Sequence, residues 1–126
     1  MNGHNGGKYL VEAIDSVIAQ TYENWEILFW DNSSTDNTKS IVQSYSDDRI
    51  KYFFAEEFTS LGEARNKVIK QAKGDILGFL DCDDLWLPKK LERQVPLFSD
   101  AEVGLVYSDT YFFNSEGKES RIHSRV

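Results

Sequence analysis

One cysteine, one methionine and two prolines stand among 126 residues. A lone Cys82 cannot close an internal disulfide, so packing and hydrogen bonds must hold the fold, as suits a reducing compartment. No apolar run approaches the ~20 residues of a membrane-spanning helix. No charged stretch followed by an apolar segment marks a leader peptide. The expected location is therefore cytoplasmic, at the inner face of the membrane if a segment outside this chain attaches it. Basic residues are also in deficit, with 14 Lys and Arg against 21 Asp and Glu and a net charge of -7. Binding a nucleic-acid backbone needs a basic stripe, so no nucleic-acid partner is expected. A phosphate ligand remains compatible if a cation brings it in. Several motifs are missing: Gly-x-Gly-x-x-Gly, Gly-Lys-Ser/Thr, His-Glu-x-x-His and Gly-x-Ser-x-Gly. Their absence argues against a dinucleotide fingerprint, a phosphate loop, a zinc-protease helix and a nucleophile elbow. His4 and His123 are the only histidines, neither has a partner at metal-ligand spacing, and both are expected to be solvated.

What is present is an ordinary globular composition, 40% hydrophobic and 28% charged, in a length suited to one domain over residues 1–126. Its organising stretch is residues 76–88. The apolar run 76–80 reads as a strand buried on both faces. It leads into Asp81, Asp83 and Asp84, and Pro88 suits the first turn of a following helix. Two carboxylates ~5 Å apart repel by roughly 3 kcal/mol at an effective dielectric of ~20, which calls for a positive partner. No Lys or Arg is adjacent before Lys89, so a divalent cation held by oxygen ligands is the simplest candidate. The plainer reading of the same residues is a polar turn with Asp as a helix cap. In an extended segment Asp81 and Asp83 point to one side. Cys82, flanked by acids, is disfavoured as a nucleophile and reads as a packing residue.

The rest of the chain alternates helices and strands. Residues 1–7 are an Asn/Gly-rich loop. Tyr9, Leu10, Ala13, Ile14, Val17 and Ile18 recur on one helix face, and that helix should fade near Thr21. Residues 25–30 form a strand that ends at Asp31 and a turn of Asn, Ser and Thr. A helix with Ile41, Val42 and Tyr45 inward precedes a strand over 50–54. Residues 58–74 are helical, with Ser60 and Glu63 in capping-box register and Gly74 as a stop. Arg65 lies within that helix's apolar stripe; it either pairs with a structural acid or faces a polar site at the sheet edge. A helix over 87–98 ends or kinks at Pro96. Residues 103–108 and 110–114 read as strands, 115–118 as a turn, and 119–126 begin another strand. This order implies a mostly parallel sheet with helical crossovers, an α/β fold that binds ligands at the carboxyl ends of its strands. Asp31, Arg65 and residues 81–84 all fall at that rim.

The ordered segments NGGKYL (5–10), SVIAQTY (16–22), EILFWDNSSTDNT (26–38), ARN (64–66), AKGD (72–75) and FLDCDDLWLPKK (79–90) resemble glycosyltransferase family 2. The resemblance implies the GT-A fold, a Rossmann-like sheet with helices on both faces. It implies transfer of a sugar from a nucleoside-diphosphate sugar, a UDP-sugar by expectation, to a hydroxyl of a glycan or lipid-linked acceptor. Inversion at the anomeric carbon, a Mn2+ or Mg2+ cofactor and a place in bacterial polysaccharide biosynthesis follow from the same likeness. Carried over by position, Asp31 would contact the base and Arg65 would line the nucleotide pocket. Asp81 would reach the ribose or a metal-bound water, and Asp83 would ligate the metal on the diphosphate. Asn32 stands where the family usually has a second acid. The family's opening strand is expected to be missing, which makes this a partial domain and leaves sheet edges free for a homodimer or domain swap. No catalytic base can be assigned; Asp109 has no motif support. The alternative is an inactive nucleotide-binding module of the same fold. A phosphoryl-transfer domain is disfavoured, because the Lys and nucleophilic Asp it needs are absent.

Overall fold

A computed structural model of the chain describes residues 1–114 and 119–122, with side chains described for residues 1–114. The described chain falls into two compact units, Met1–Glu92 and Arg93–Val126.

The first unit is built on a three-stranded parallel sheet. Its strands are β1 (Asn2–Gly3), β2 (Ile27–Asp31) and β3 (Ile50–Phe54), in the spatial order β1-β2-β3. β2 is the hub. Its residues pair in register with β3 from Ile27↔Ile50 to Asp31↔Phe54, and Trp30 and Asp31 pair with Asn2 and Gly3. Side chains alternate across the sheet. Phe29 therefore stacks beside Tyr52 on one face, and Trp30 beside Phe53 on the other, each pair with centroids 6.3 Å apart.

Helices α1 (Leu10–Ile18), α2 (Thr38–Gln43) and α3 (Leu61–Ile69) cover the sheet. Leu10, Ile14 and Val17 of α1 and Val42 of α2 join Ile27, Phe29 and Leu80 in one core cluster. α3 serves the opposite face, where the Lys67 ammonium lies 5.8 Å from the Trp30 ring centroid and Ala64 and Val68 are buried. The expected capping box of α3 is formed: Ser60 Oγ accepts from the Glu63 amide, and the Glu63 carboxylate accepts from the Ser60 amide. Such a cap satisfies two helix N–H groups that have no partner within the helix.

The opening strand, expected to be missing, is present as the two residues of β1. On its far side it continues the sheet by a single parallel bridge, Asn2↔Asp81. This bridge aligns the ends of β1, β2 and the 76–80 segment on one rim.

The segment 76–80 departs from expectation. It is irregular rather than a strand, with a bend at Ile76, and Ile76, Leu77 and Phe79 are 41%, 48% and 56% exposed; of the segment Leu80 alone is buried. A run of apolar residues becomes a buried strand only where neighbouring backbones accept its hydrogen bonds. Two-residue β1 offers a partner opposite Asp81 and no further. Gly78 is held by packing instead, since a Cβ there would come within 2.8 Å of the Trp86 ring.

The helix expected over 87–98 is shorter. α4 (Lys90–Gln94) passes into a 3-10 turn, Val95–Ser99, with Pro96 in its first turn. Pro96 has no N–H to continue an α-helical ladder, which accounts for the change. Residues 103–108, expected as a strand, are irregular. β4 (Thr110–Phe113) and β5 (Glu119–Ile122) form an antiparallel pair in the second unit. The expected turn 115–118 lies outside the described residues.

Candidate functional site

At the carboxyl ends of β1 and β2 the chain makes two loops, residues 4–7 and 32–37, and hydrogen bonds fasten one to the other. Asn5 Oδ1 accepts from the amides of Thr35 (2.8 Å) and Asp36 (3.3 Å), and the Asn5 amide donates to Ser34 Oγ at 2.9 Å. The Gly6 amide donates to Thr38 Oγ1 and the Gly7 amide to Asp36 Oδ2. Asn5 and Ser33 take positive φ angles of 53° and 67°. Asn visits that region more readily than most residues.

These loops border a cleft of about 500 Å3, a volume in the range of small-molecule sites. One wall carries Gly3, His4 and Tyr9, another Phe58, Thr59 and Leu61; Asn32 is bonded to both, and Asp81 and Asp83 complete the lining. His4 was expected to be solvated. It is exposed and also lines the cleft, with Nδ1 2.9 Å from the Asn32 carbonyl and its ring edge-to-face with Phe58 at 4.9 Å. The carbonyl can only accept, so Nδ1 carries the proton there. His123 lies outside the described residues.

The four expected site residues are distributed as follows. Asp83 opens onto the cleft and accepts no hydrogen bond among the described residues. Asp81 lines the cleft beside it and is held from behind by Arg65, whose Nη2 donates to Asp81 Oδ1 at 2.9 Å. Arg65 thus pairs with an acid that lines the cleft. Its guanidinium also lies 5.7 Å from the Phe79 ring centroid. Asp31 is buried at 1% exposure and sits behind the cleft rather than on its lining. It accepts from Tyr52 O–H at 2.6 Å and the Ser34 amide at 2.8 Å. Burial, followed by the hydrogen bond and charge of Asp31, pushes the Tyr52 phenol well above its ordinary value. The structure thus brings Asp81, Asp83 and Arg65 together and sets Asp31 one layer back, with Asn32 on the cleft surface.

Electrostatics at the acidic end follow from crowding. Burial raises the Asp84 carboxyl above its ordinary pKa, helped by the charges of Asp83 and Asp81. Burial also pushes the Cys82 thiol up to about 11, with the same two neighbours adding to it. Cys82 Sγ packs 3.2 Å from the Asn2 carbonyl, in keeping with a packing role.

Among the described residues no three His, Cys, Asp or Glu side chains come close enough together to hold a metal ion alone. A three-carboxylate cage from Asp81, Asp83 and Asp84 is therefore not formed. The donor set does suit the other mode of binding hard cations, in which one or two carboxylates share Mg2+ with substrate phosphates. Asp83, open to the cleft, and Asp81 beside it supply that number.

Sequence reasoning missed His4, Phe58 and Thr59. The Asn/Gly-rich run 1–7 marked the first only as part of a loop. Phe58 and Thr59 carried no signal beyond their place just before a capping box.

The fold, a parallel sheet with acids at its carboxyl rim, is that of GT-A glycosyltransferases. The chain belongs to glycosyl transferase family 2, whose profile matches residues 3–126. It is 36% identical over 115 residues to the UDP-Glc:alpha-D-GlcNAc-diphosphoundecaprenol beta-1,3-glucosyltransferase WfgD of Escherichia coli, a match that covers 91% of this chain and 46% of that protein. It is 32% identical over 116 residues to the putative teichuronic acid biosynthesis glycosyltransferase TuaG of Bacillus subtilis, covering 90% of this chain and 46% of the relative. The chain thus spans about half the length of these curated relatives. Among solved structures it is similar to S. aureus TarS 1-349 in complex with UDP, with a TM-score of 0.73 and 30% identity over 79% of this chain and 30% of that one. It is also similar to the mannosyltransferase PcManGT from Pyrobaculum calidifontis in complex with GDP-Man and Mn2+ (TM-score 0.63, 26% identity, 68% and 26% coverage).

Proposed function

We propose that this chain forms the nucleotide-sugar part of a metal-dependent, inverting glycosyltransferase that takes a UDP-sugar as donor and a glycan or lipid-linked hydroxyl as acceptor. The observation that carries the reading is the cleft itself. Two carboxylates, Asp81 and Asp83, share its lining with the rings of His4 and Phe58 and with Asn32. Such a lining suits a ligand with a diphosphate, taken at the acids, and a flat heterocycle, taken at the aromatic and amide groups of the base end. Relatives that carry UDP-Glc in their name and UDP or GDP-Man with Mn2+ in their crystals support it.

In this reading Asp83 holds Mn2+ or Mg2+ together with the diphosphate, and Asp81 assists. The cation supplies charge neutralisation for a leaving nucleoside diphosphate. Arg65 fixes the Asp81 carboxylate in place. Asp31 serves the base end from behind, by holding the turn that presents Asn32. Work on envelope polysaccharide at the inner membrane face is part of the same proposal; among the described residues no helix is long and apolar enough to cross a membrane.

Calorimetric titration of UDP with and without Mn2+ tests it. Wild-type chain should bind UDP at least about tenfold more tightly with the metal, and Asp83→Ala should lose that gain while keeping the metal-free affinity. Metal-independent binding, or an unchanged Asp83→Ala, would remove Asp83 from its role.

A second reading is favoured by one observation. Asp81 and Asp83 are the only carboxylates on the cleft lining among the described residues, so no further carboxylate stands ready to take a proton from an acceptor hydroxyl. A chain that binds donor without transferring sugar would fit this. Release of sugar from a radiolabelled UDP-sugar, with and without simple acceptors, separates the two.

A further inference from the structure

Every polar atom of Asn32 is engaged. Its backbone amide donates to the Gly3 carbonyl at 2.8 Å, and its own carbonyl meets His4 Nδ1. Its side chain turns the other way, to Thr59. Nδ2 donates to the Thr59 carbonyl at 2.7 Å, and Oδ1 accepts from the Thr59 amide and hydroxyl, both at 3.1 Å. Asn32 is 5% exposed. A backbone N–H only donates and a carbonyl only accepts, so this pair of contacts fixes the orientation of the amide without ambiguity. It is a two-way match that an amide makes and a carboxylate cannot.

We propose that Asn32 is a positioning residue that ties the two walls of the cleft together and sets the width of its base end. The backbone of Asn32 is fixed to the wall of Gly3 and His4; its side chain grips the wall of Phe58 and Thr59. Thr59 directly precedes Ser60, the N-cap of α3, and α3 carries Arg65, which holds Asp81. One amide thus fixes the loop that places Phe58 against His4 and the start of the helix that reaches the acidic end. The side-chain amide is already spent on Thr59, so its work is on the protein rather than on the base. This deepens the proposed nucleotide-sugar site and rests on it for the ligand.

Substitution by aspartate gives a test with a distinctive pH profile. In Asn32→Asp the ionised side chain still accepts from the Thr59 amide but sets a second acceptor oxygen against the Thr59 carbonyl. Protonated, it has the donor–acceptor pattern of the amide again. Its surroundings, a buried position next to Asp31 and in a cleft with Asp81 and Asp83, favour protonation; His4 touches the backbone carbonyl of the same residue. Binding of UDP with Mn2+ should therefore be measured for the 126-residue wild type, Asn32→Asp and Asn32→Ala at pH 7.5 and 5.5, each variant referred to wild type at the same pH. Both variants should bind about tenfold more weakly at pH 7.5, the usual order for breaking buried hydrogen bonds. Asn32→Asp alone should recover most of that loss at pH 5.5. In parallel, hydrogen exchange of residues 55–60 without ligand should speed up in Asn32→Ala at both pH values and in Asn32→Asp only at pH 7.5. Equal or tighter UDP binding by Asn32→Asp at pH 7.5 would show the side chain facing the ligand and overturn the proposal, as would unchanged exchange in Asn32→Ala. If wild type itself fails to bind UDP, the nucleotide-sugar reading fails, and the exchange arm still decides whether Asn32 holds the loop.

Discussion

Gly3 and Cys82 occupy one crowded point where β1 meets the acidic turn. A Cβ on Gly3 would lie 2.3 Å from Cys82 Sγ and 3.4 Å from the Phe29 ring. Gly3→Ala should therefore destabilise the chain by about 1–3 kcal/mol through overpacking. Cys82→Ala removes the sulfur, and the double variant should recover a large share, read as a coupling energy in a double-mutant cycle by urea denaturation. The thiol itself carries a pH prediction. Its folded pKa of about 11 lies above the unfolded value, so the native state holds the proton more tightly. Stability from this group is complete below the unfolded pKa and is lost as pH rises through 9 to 11. Alkylation by iodoacetamide at pH 8 should run well below the rate of a free thiol, and Cys82→Ser should flatten stability across that alkaline window. The packing role of Cys82 was readable from its acidic neighbours. Its contact with Gly3 was not, because it joins residues far apart in sequence through a bridge that only the folded sheet creates.

At the scale of elements, what could be read was what depends on local chemistry. The α3 cap was spelled out by Ser60 and Glu63, and β3 by the run 50–54, and both formed. Ser60→Ala should cost about 1 kcal/mol, measured by thermal or urea melting, since it strips the side-chain acceptor from the Glu63 amide. The segment 76–80 shows the opposite case. Its apolar run satisfied every local rule for a strand, yet strand formation is decided by neighbours, and β1 offers a partner to Asp81 alone. The site followed the same division. Asp81 and Asp83 were visible as acids two positions apart, expected on one side of the chain. Asp31 was visible as an acid at a strand end, but its burial against Tyr52 depends on the register Phe29↔Tyr52, which places that phenol beside it from the adjacent strand.

At the scale of the whole molecule, charge and apolar exposure oppose one another. The net charge of -7 makes copies repel one another at neutral pH. Ile76, Leu77 and Phe79 present apolar surface on the first unit. As pH falls toward the sequence pI of about 4.8, repulsion fades while that surface remains. Light scattering should show self-association rising between pH 7 and 5, and Leu77→Lys with Phe79→Lys should suppress it. A scattering signal indifferent to both changes would clear this segment of any part in self-association.

The contact between Gly78 and Trp86 has a practical use. Of the three tryptophans, Trp25 lies under the Arg49 guanidinium at 3.7 Å and Trp30 against Phe53, whereas Trp86 rests on the backbone that runs into the acidic turn. With Trp25 and Trp30 replaced by phenylalanine, the emission of one indole becomes an optical gauge of that turn, and a titration could be followed in a cuvette without dye or isotope.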